Sequence, residues 1–345
     1  MRPPATPRRR PILLALAELA LSVPPALSFG STAVAVAGCP PPASSLGMAA
    51  AAVGGGGGTS GGVAIYGCGV LGTSLCRQLM EDPTFSSRPI TGITRTDAKH
   101  DAIRSMVLAM GDGAAGRLNL ETEGSVPAGT RFRDLVFCAP PSGFEDYPAA
   151  VEDALGRYWD AGAGGTFVLT GAGSVYGDGD GETVAEDSPT CDPVANPRAA
   201  RMLGAERSCL GGGGGVLRLA GLYTLTRGAH NYWLTSGKPV QGNPDGTINL
   251  LHYDDAAGAC LAALKKGPTV VSGRTFLISD GHPTTRRGIC ESAVKAAHYR
   301  DAAMPEFAGG SDLSRGKIYD GSASDAALGW KPLYESFDSF MSSQN

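Results

Sequence analysis

The chain has 345 residues, of which 29 are basic and 33 acidic, and 42% are hydrophobic. Four of the basic residues and one of the acidic ones lie in the first 62 positions, which leaves 25 against 32 and a net charge of −7 for the remainder. This balance, with no basic stripe, gives no indication of nucleic-acid binding. The remaining length suits one large domain, or a domain with a smaller lobe.

The first 28 residues have the layout of a secretory signal peptide. Arginines at positions 2 and 8–10 precede an apolar run at 12–23, and a small-residue site, Ala26-Leu-Ser28, follows it. The apolar run is too short to cross a bilayer. Residues 29–62 contain no charged side chain and are rich in Ala, Gly, Ser and Pro, so we expect them to be disordered.

A signal peptide followed by such a segment resembles the presequences of plastid proteins in algae with complex plastids, where Phe commonly follows the cleavage site, as Phe29 does here. The chain has no Asn-x-Ser/Thr acceptor, and its cysteines stand singly on strand-like or helical runs. Both observations favour a plastid over secretion. There are two alternatives: the protein is secreted, or it is cytoplasmic and its start site is misassigned. The cysteine and histidine spacing predicts no metal site.

The first strand-like run, at residues 63–66, ends in a glycine loop, Gly67-Cys-Gly69-Val70-Leu71-Gly72. In a dinucleotide-binding loop the first glycine allows the turn, the second lets the backbone approach a pyrophosphate, and the third lets helix pack on strand. The following helix presents its free N–H groups to the phosphates. Such loops also occur for purely structural reasons, so the motif needs support from its surroundings.

Strand-like and helical runs alternate beyond this loop. We predict further strands at residues 90–94, 135–139, 166–170 and 216–219, and helices at residues 71–80, 97–109, 149–161 and 199–209. Continuous apolar strands separated by helices predict an α/β fold, a Rossmann-type doubly wound parallel sheet covered on both faces.

Two strand ends carry residues that suit a dinucleotide. After the second strand, Thr94 and Arg95 stand where an NAD site would place a carboxylate. A guanidinium there can hold a 2′-phosphate, which favours NADP over NAD. The alternative is an ordinary solvated arginine. After the third strand, Pro140 and Pro141 stand where a nicotinamide ribose would lie, although they also serve as a strand terminator.

Several later segments indicate the family. They are Phe-Val-Leu-Thr-Gly-Ala-Gly-Ser-Val-Tyr-Gly at 167–177, Glu-Asp-Ser-Pro at 186–189, Leu-Arg-Leu-Ala-Gly-Leu-Tyr at 217–223, Asn-Leu-Leu-His-Tyr-Asp-Asp-Ala-Ala at 249–257, Phe-Leu-Ile-Ser-Asp-Gly-His-Pro-Thr-Thr-Arg at 276–286 and Leu-Gly-Trp-Lys-Pro at 328–332. In this order the chain resembles the NAD-dependent epimerase/dehydratase family, the extended and atypical short-chain dehydrogenase/reductases, over nearly all of residues 63–345. The glycine loop fits the atypical branch better. The resemblance implies a small C-terminal substrate lobe from about residues 223–250 and 281–335.

The resemblance also exposes a departure from the family's catalytic triad. Arg201 stands in the place of the lysine, Pro197 in that of the tyrosine and Ala172 in that of the serine. These groups normally move the substrate hydroxyl proton and orient the carbonyl. Arg201 is then expected to hold the hydroxyl groups of the ribose that carries the nicotinamide. An arginine does not titrate near neutrality, so it does not replace the lysine in proton transfer.

Nearby residues offer substitutes. Tyr176 is the leading acid/base candidate and Ser174 the second, although a tyrosine in such a turn more often packs and bonds to backbone. Tyr223 and Arg227 line the substrate side in relatives, where Arg227 would bind a phosphate or carboxylate unless it is only a loop charge.

Two hypotheses remain. The chain is an NADP-dependent oxidoreductase or epimerase-like enzyme that works without the usual Ser/Tyr/Lys triad, or it is a non-catalytic NADP-binding protein with a structural or regulatory role. Its expected partners are the dinucleotide and a small-molecule substrate that the sequence does not identify. Sugar nucleotides are the family's commonest substrate class.

Overall fold

The computed structural model describes residues 59–108, 116–310 and 313–345. The predicted leader therefore lies outside the described residues, as does all of the transit-like segment up to residue 58. The first strand begins at Thr59, before the start at residue 63 that the sequence predicted for the folded domain. Thr59 and Ser60 pair with Arg131 and Phe132, and backbone pairing of this kind does not require apolar side chains.

Seven parallel strands form the central sheet. In spatial order they are β3 (Leu118–Thr122), β2 (Ile90–Thr94), β1 (Thr59–Tyr66), β4 (Arg131–Phe137), β5 (Phe167–Ala172), β7 (Gly215–Leu219) and β11 (Thr275–Ile278). The strand order reverses between β1 and β4, and ligands of such sheets bind outside the carboxyl ends of the strands at this point.

Helices cover both faces of the sheet. One face carries α1 (Val70–Glu81), α2 (His100–Leu108) and α6 (Tyr253–Lys266), and the other carries α3 (Tyr147–Tyr158) and α4 (Pro197–Gly211). Alternate residues of β1 enter the two cores, Val63 and Ile65 on one side and Ala64 and Tyr66 on the other. The predicted fold class, a doubly wound parallel α/β sheet, is confirmed.

Shorter elements build the C-terminal lobe and its connection to the sheet. A second sheet contains β12 (Thr284–Thr285), β9 (Thr247–Ile248), β13 (Gly316–Tyr319) and β6 (Asp180–Val184), and β8 (Gly221–Tyr223) pairs with β10 (Leu250–His252). The remaining helices are α5 (Ala229–Thr235), α7 (Pro268–Val271), α8 (Arg286–Ala293), α9 (Ser322–Leu328) and α10 (Phe337–Ser342). An apolar cluster joins β8 and β10 to α8 and α10, so the lobe includes residues beyond the predicted boundary at 335.

Candidate functional site

The glycine loop connects β1 to α1 at the point where the strand order reverses. Gly67 has φ +91°, and a Cβ there would lie 2.3 Å from the Ala139 backbone nitrogen, so the loop and the end of β4 meet backbone to backbone. A Cβ on Gly72 would lie 3.0 Å from Ile65 Cγ2, which sets how closely α1 packs on β1. Only glycine allows the arrangement at Gly67, whereas a methyl group at Gly72 would force Ile65 to shift.

Gly69 differs from the other two glycines because it faces open space. It is exposed, and a Cβ there would meet only the Gly67 carbonyl oxygen, at 3.9 Å. Helix α1 starts at the next residue, so the backbone N–H groups of Val70, Leu71 and Gly72 belong to its first turn and have no intrahelical acceptor. The Leu71 side chain is in the core, and Val70 is exposed. The loop therefore offers an open anion-binding surface at a helix N-terminus.

Arg95 extends from the end of β2 across to the turn that follows β4. A Cβ on Gly143 would lie 2.2 Å from Arg95 Nη2, so the guanidinium rests against the Pro141–Gly143 turn. The side chain is exposed and has no acceptor among the residues that the structure describes. Arg95, Pro140 and Pro141 therefore occur together beside the glycine loop, with a free guanidinium among them.

Thr94 is held differently. Its hydroxyl bonds to the Thr96 carbonyl at 2.9 Å and to His100 Nε2 at 2.6 Å. These bonds close the turn after β2 and tie it to α2. Thr94 thus shapes the turn that presents Arg95, and its direct contact with a dinucleotide stays a prediction.

Arg201, on α4, contacts the same turn after β4. Its Nη2 donates to the Phe144 carbonyl oxygen, and its Nε is buried with no partner among the described residues. Helix α4 starts with Pro197 as its first residue, after the Asn196 cap that accepts from the Ala199 N–H. Arg95 and Arg201 therefore both contact the turn, at Gly143 and Phe144, and both retain unused donors among the described residues.

Tyr176 lies in a buried polar network. Its hydroxyl accepts from Arg218 Nη1 at 3.0 Å and donates to the Glu186 carbonyl at 3.3 Å. Arg218 forms a buried ion pair with Glu206, at 2.8 Å from Nη2 to Oε2. Burial raises the pKa of Tyr176, and the hydrogen bond and charge of Arg218 only partly offset this. The geometry favours the packing role, and acid/base catalysis by Tyr176 stays a prediction that requires this network to open.

Ser174 has the opposite environment. It is exposed in the short turn directly after β5, at the open end of the sheet, while Ala172 is the last residue of that strand. Its hydroxyl has no hydrogen-bond partner among the described residues. Of the two predicted catalytic residues, Ser174 therefore has the accessible hydroxyl group. Its role in catalysis also stays a prediction.

The two residues predicted to bind substrate, Tyr223 and Arg227, differ in their exposure to solvent. The Tyr223 ring packs between His252 and Phe337, and its hydroxyl is buried without a partner in the described part of the chain. Arg227 is exposed, and its Nε donates to the Tyr253 hydroxyl at 3.2 Å. Arg227 is therefore accessible to a ligand, whereas Tyr223 is a core residue whose contact with substrate stays a prediction.

The start of α6 ties the glycine-loop helix to the lobe. His252 Nδ1 caps α6 by accepting from the Asp254 N–H at 3.1 Å. Asp254 instead pairs with Arg77 of α1 at 3.1 Å. In the described ranges no three His, Cys, Asp or Glu side chains are grouped for a metal ion, and no helix is both long and apolar enough to span a bilayer.

The strand order, the glycine loop and the C-terminal lobe together define a Rossmann-type α/β fold with a glycine loop at its switch point. Among solved structures it is similar to a functionally unknown conserved protein from Silicibacter pomeroyi DSS, with 22% identity, a TM-score of 0.64, and 83% of this chain and 98% of that one covered. It is also similar to UDP-glucuronic acid 4-epimerase from Bacillus cereus in complex with NAD, with 17% identity, a TM-score of 0.60, and 82% and 94% covered. The fold implied by the family resemblance is therefore confirmed.

Among curated proteins, the chain is 32% identical over 175 residues to Protein YeeZ of Escherichia coli strain K12. This match covers 48% of the chain and 58% of YeeZ, so it spans little more than half of that relative. No protein-family model matches the chain.

Proposed function

We propose that this chain is an NADP-binding protein of the NAD-dependent epimerase/dehydratase family, of the atypical short-chain dehydrogenase/reductase type. The observation that carries the proposal is the open space in front of Gly69 together with the free guanidinium of Arg95 beside it. A 2′-phosphate needs a cation at the end of β2, where a carboxylate would repel it. The similar structure of UDP-glucuronic acid 4-epimerase from Bacillus cereus, solved in complex with NAD, supports the binding of a dinucleotide by this fold.

The positions of three groups support this assignment of the NADP contacts. The first-turn N–H groups of α1 would hold the pyrophosphate, Arg95 the 2′-phosphate, and Arg201 the nicotinamide ribose. When bound, the dinucleotide supplies a nicotinamide ring that donates or accepts a hydride. Both arginines contact the turn after β4, Arg95 at Gly143 and Arg201 at the Phe144 carbonyl.

Calorimetric titration of the full chain with NADP and NAD, oxidised and reduced, tests this assignment. We expect NADP to bind more tightly than NAD, and Arg95→Ala to remove the preference by weakening NADP roughly 10- to 150-fold, the equivalent of one charge-assisted contact of ~1.5–3 kcal/mol. Lys99→Ala, a change of another cation near the end of β2, is the control and should leave the ratio unchanged. No binding of any of the four would refute the proposal.

The reaction is the second part of the proposal. We propose an oxidoreductase or epimerase-like enzyme that acts on a small molecule bound beside Arg227, because Ser174, Arg201 and Arg227 all retain accessible or unused polar groups near the strand ends. A sugar nucleotide is the first class to screen, since the Bacillus cereus neighbour is a UDP-glucuronic acid 4-epimerase. The burial of Tyr176 favours the alternative, a non-catalytic NADP-binding protein.

Two variants separate these candidates. If Tyr176 moves the substrate proton, Tyr176→Phe abolishes turnover and keeps NADP binding. If Tyr176 only packs, the same change lowers the free energy of unfolding by ~1–3 kcal/mol, for the two lost hydrogen bonds with Arg218 and the Glu186 carbonyl, and any turnover persists. Ser174→Ala should leave stability unchanged, so any loss of turnover it causes reports on chemistry. The absence of turnover with every sugar nucleotide and simple carbonyl compound screened would favour the non-catalytic role.

We also propose a plastid location, supported by the signal-like residues 1–28 and the uncharged residues 29–62. Fusing residues 1–62 to a fluorescent protein in an alga with a complex plastid tests this. Plastid fluorescence is expected, while secretion or a cytoplasmic signal would support one of the alternatives.

A further inference from the structure

Two buried thiols lie together beneath the glycine loop. Cys68 lies in the loop, between Gly67 and Gly69, and Cys76 lies in the middle of α1. Their Sγ atoms are 3.7 Å apart. The cysteines of the described ranges are all free thiols, and these two belong to the apolar cluster on the face of the sheet that α1 covers. The loop that we assign to the pyrophosphate therefore rests on a close pair of reduced thiols.

The neighbouring strand directs the Cys68 side chain inward. A Cβ on Gly92 of β2 would lie 3.0 Å from Cys68 Sγ and 3.2 Å from Cys68 Cβ, so the missing side chain of Gly92 leaves room for this sulfur. Cys68 is 2% exposed and Cys76 0%. Gly69, the residue after Cys68, is exposed. The pair is therefore covered, although Cys68 directly precedes the exposed part of the loop.

The two sulfur atoms are close enough for a disulfide to form after a small movement. They are 3.7 Å apart, and a disulfide has an S–S distance of about 2.05 Å, so they must approach by about 1.6 Å. Cys76 is fixed within α1, whereas Cys68 has a glycine on each side, and glycine has more backbone freedom than other residues. We therefore expect the loop to move toward the helix.

We propose that Cys68 and Cys76 are a redox pair whose disulfide closes the dinucleotide site. The oxidant is hydrogen peroxide, which transfers one oxygen atom to the Cys68 thiol, gives a sulfenic acid and leaves as water. The Cys76 sulfur then attacks the Cys68 sulfur, the S–O bond breaks, and a second water leaves. Two electrons pass from the thiols to the peroxide, and both thiol protons end in water.

The closed loop protects the pair from rapid oxidation. The contact with Cys68, together with burial, raises the pKa of the Cys76 thiol. Cys76 therefore stays protonated while the loop is closed, and a thiol is a poorer nucleophile than a thiolate. The oxidation takes place when the loop opens, so a dinucleotide that holds the loop closed slows it.

The disulfide changes the surface that the pyrophosphate approaches. In the reduced loop the Cys68 N–H donates to the Ile93 carbonyl oxygen at 3.1 Å. The Gly69 N–H donates to the Gly67 carbonyl oxygen at 2.6 Å. Movement of Cys68 toward α1 displaces Gly69, which has the open space in front of it. This consequence rests on the proposed function, because it requires a dinucleotide at the loop, whereas formation of the disulfide does not.

Peptide mapping of the full chain after treatment with hydrogen peroxide tests the disulfide. Free thiols are blocked by alkylation, and a protease that cleaves after leucine then separates the two cysteines, because Leu71 and Leu75 lie between them. We expect peptides linked through Cys68 and Cys76, which dithiothreitol separates. Cys138→Ala is the matched control, since Cys138 Sγ donates to the Gly67 carbonyl oxygen at 3.3 Å. The same linked peptides should form in this variant.

Calorimetric titration of the reduced and the oxidised chain with NADP measures the consequence for the site. We expect the oxidised chain to bind NADP roughly tenfold more weakly or worse, the equivalent of one lost charge-assisted contact, and dithiothreitol to restore the affinity. Cys76→Ala removes one sulfur of the pair, so its affinity for NADP should be the same before and after peroxide.

The outcomes separate the disulfide from the proposed function. Alkylation of both Cys68 and Cys76 after peroxide, while the partly exposed Cys191 is oxidised, would overturn the proposal, as would a link to Cys138 instead. A Cys68–Cys76 disulfide that leaves NADP affinity unchanged would refute the closing of the site. If the reduced chain binds no NADP, the proposed function fails, and the peptide map still decides whether the disulfide forms. The map uses the unsubstituted chain, so it holds even if Cys76→Ala does not fold.

Discussion

Replacing Gly69 by alanine is expected to weaken dinucleotide binding while leaving the fold intact. The new Cβ would meet only the Gly67 carbonyl, at 3.9 Å, and Gly69 has φ −92°, so alanine meets neither a clash nor a left-handed backbone. We expect the free energy of unfolding to stay within ~1 kcal/mol of the parent. The methyl group instead occupies the space in which a pyrophosphate would approach the loop.

The expected loss of affinity follows from the contacts displaced. Each charge-assisted hydrogen bond from a first-turn N–H is worth ~1.5–3 kcal/mol, so losing one weakens NADP roughly 10- to 150-fold. Urea unfolding measures the stability, and calorimetric titration measures the affinity.

Two other glycines provide the controls. A Cβ on Gly72 would lie 3.0 Å from Ile65 Cγ2 and 3.2 Å from the Gly67 carbonyl, so Gly72→Ala should destabilise by ~1–3 kcal/mol. Gly156 is exposed on α3 with open space around it, so Gly156→Ala should stabilise by ~0.5–1 kcal/mol and leave affinity unchanged. A folded Gly69→Ala protein that binds NADP as tightly as its parent would refute the assignment of this loop.

Two further predictions concern stability. Glu206→Gln leaves the buried guanidinium of Arg218 without a negative charge beside it and should lower the free energy of unfolding by ~3–5 kcal/mol, whereas Glu206→Leu combined with Arg218→Met should recover most of it. Urea unfolding that shows a loss of less than ~1 kcal/mol for Glu206→Gln would contradict this. His230 is buried and its pKa is lowered to about 4, so it is neutral in the fold and takes up a proton on unfolding between pH 6.5 and 4. Relative to His230→Gln, the parent should therefore lose about 3 kcal/mol of stability as pH falls through this range. Thermal unfolding at each pH measures it, with exposed His298→Gln as the control, and identical profiles for parent and His230→Gln would rule the effect out.

The central elements were predictable because their signals are local. The strand at Ile90–Thr94 begins and ends at the predicted residues, and α1, α3 and α4 lie within three residues of their predicted ends. Apolar runs stopped by glycine or proline need no partner to be recognised. Strand β3, which has no fully buried residue, and the strands of the second sheet lack such a pattern, and the sequence predicted none of these.

The candidate site divides in the same way. The glycine loop and Arg95 follow from residue type and spacing, but the contact of Arg95 with Gly143 joins residues 48 positions apart and exists only because β2 and β4 end at the same edge of the sheet. The environment of Tyr176 is likewise long-range, since Arg218 comes from β7 and its partner Glu206 from α4.

The sequence by itself determined the alternation of strands and helices, the glycine loop with its cation at the next strand end, and the departure from the family's triad. Each of these depends on residues that are close together in the sequence, whose backbone preferences or charges act locally. Only the tertiary structure decided which hydroxyls are accessible, Ser174 rather than Tyr176, and which carboxyl groups are buried, Asp255 and Asp280. Burial and pairing depend on segments brought together by folding, and one residue's neighbours in the chain do not specify them.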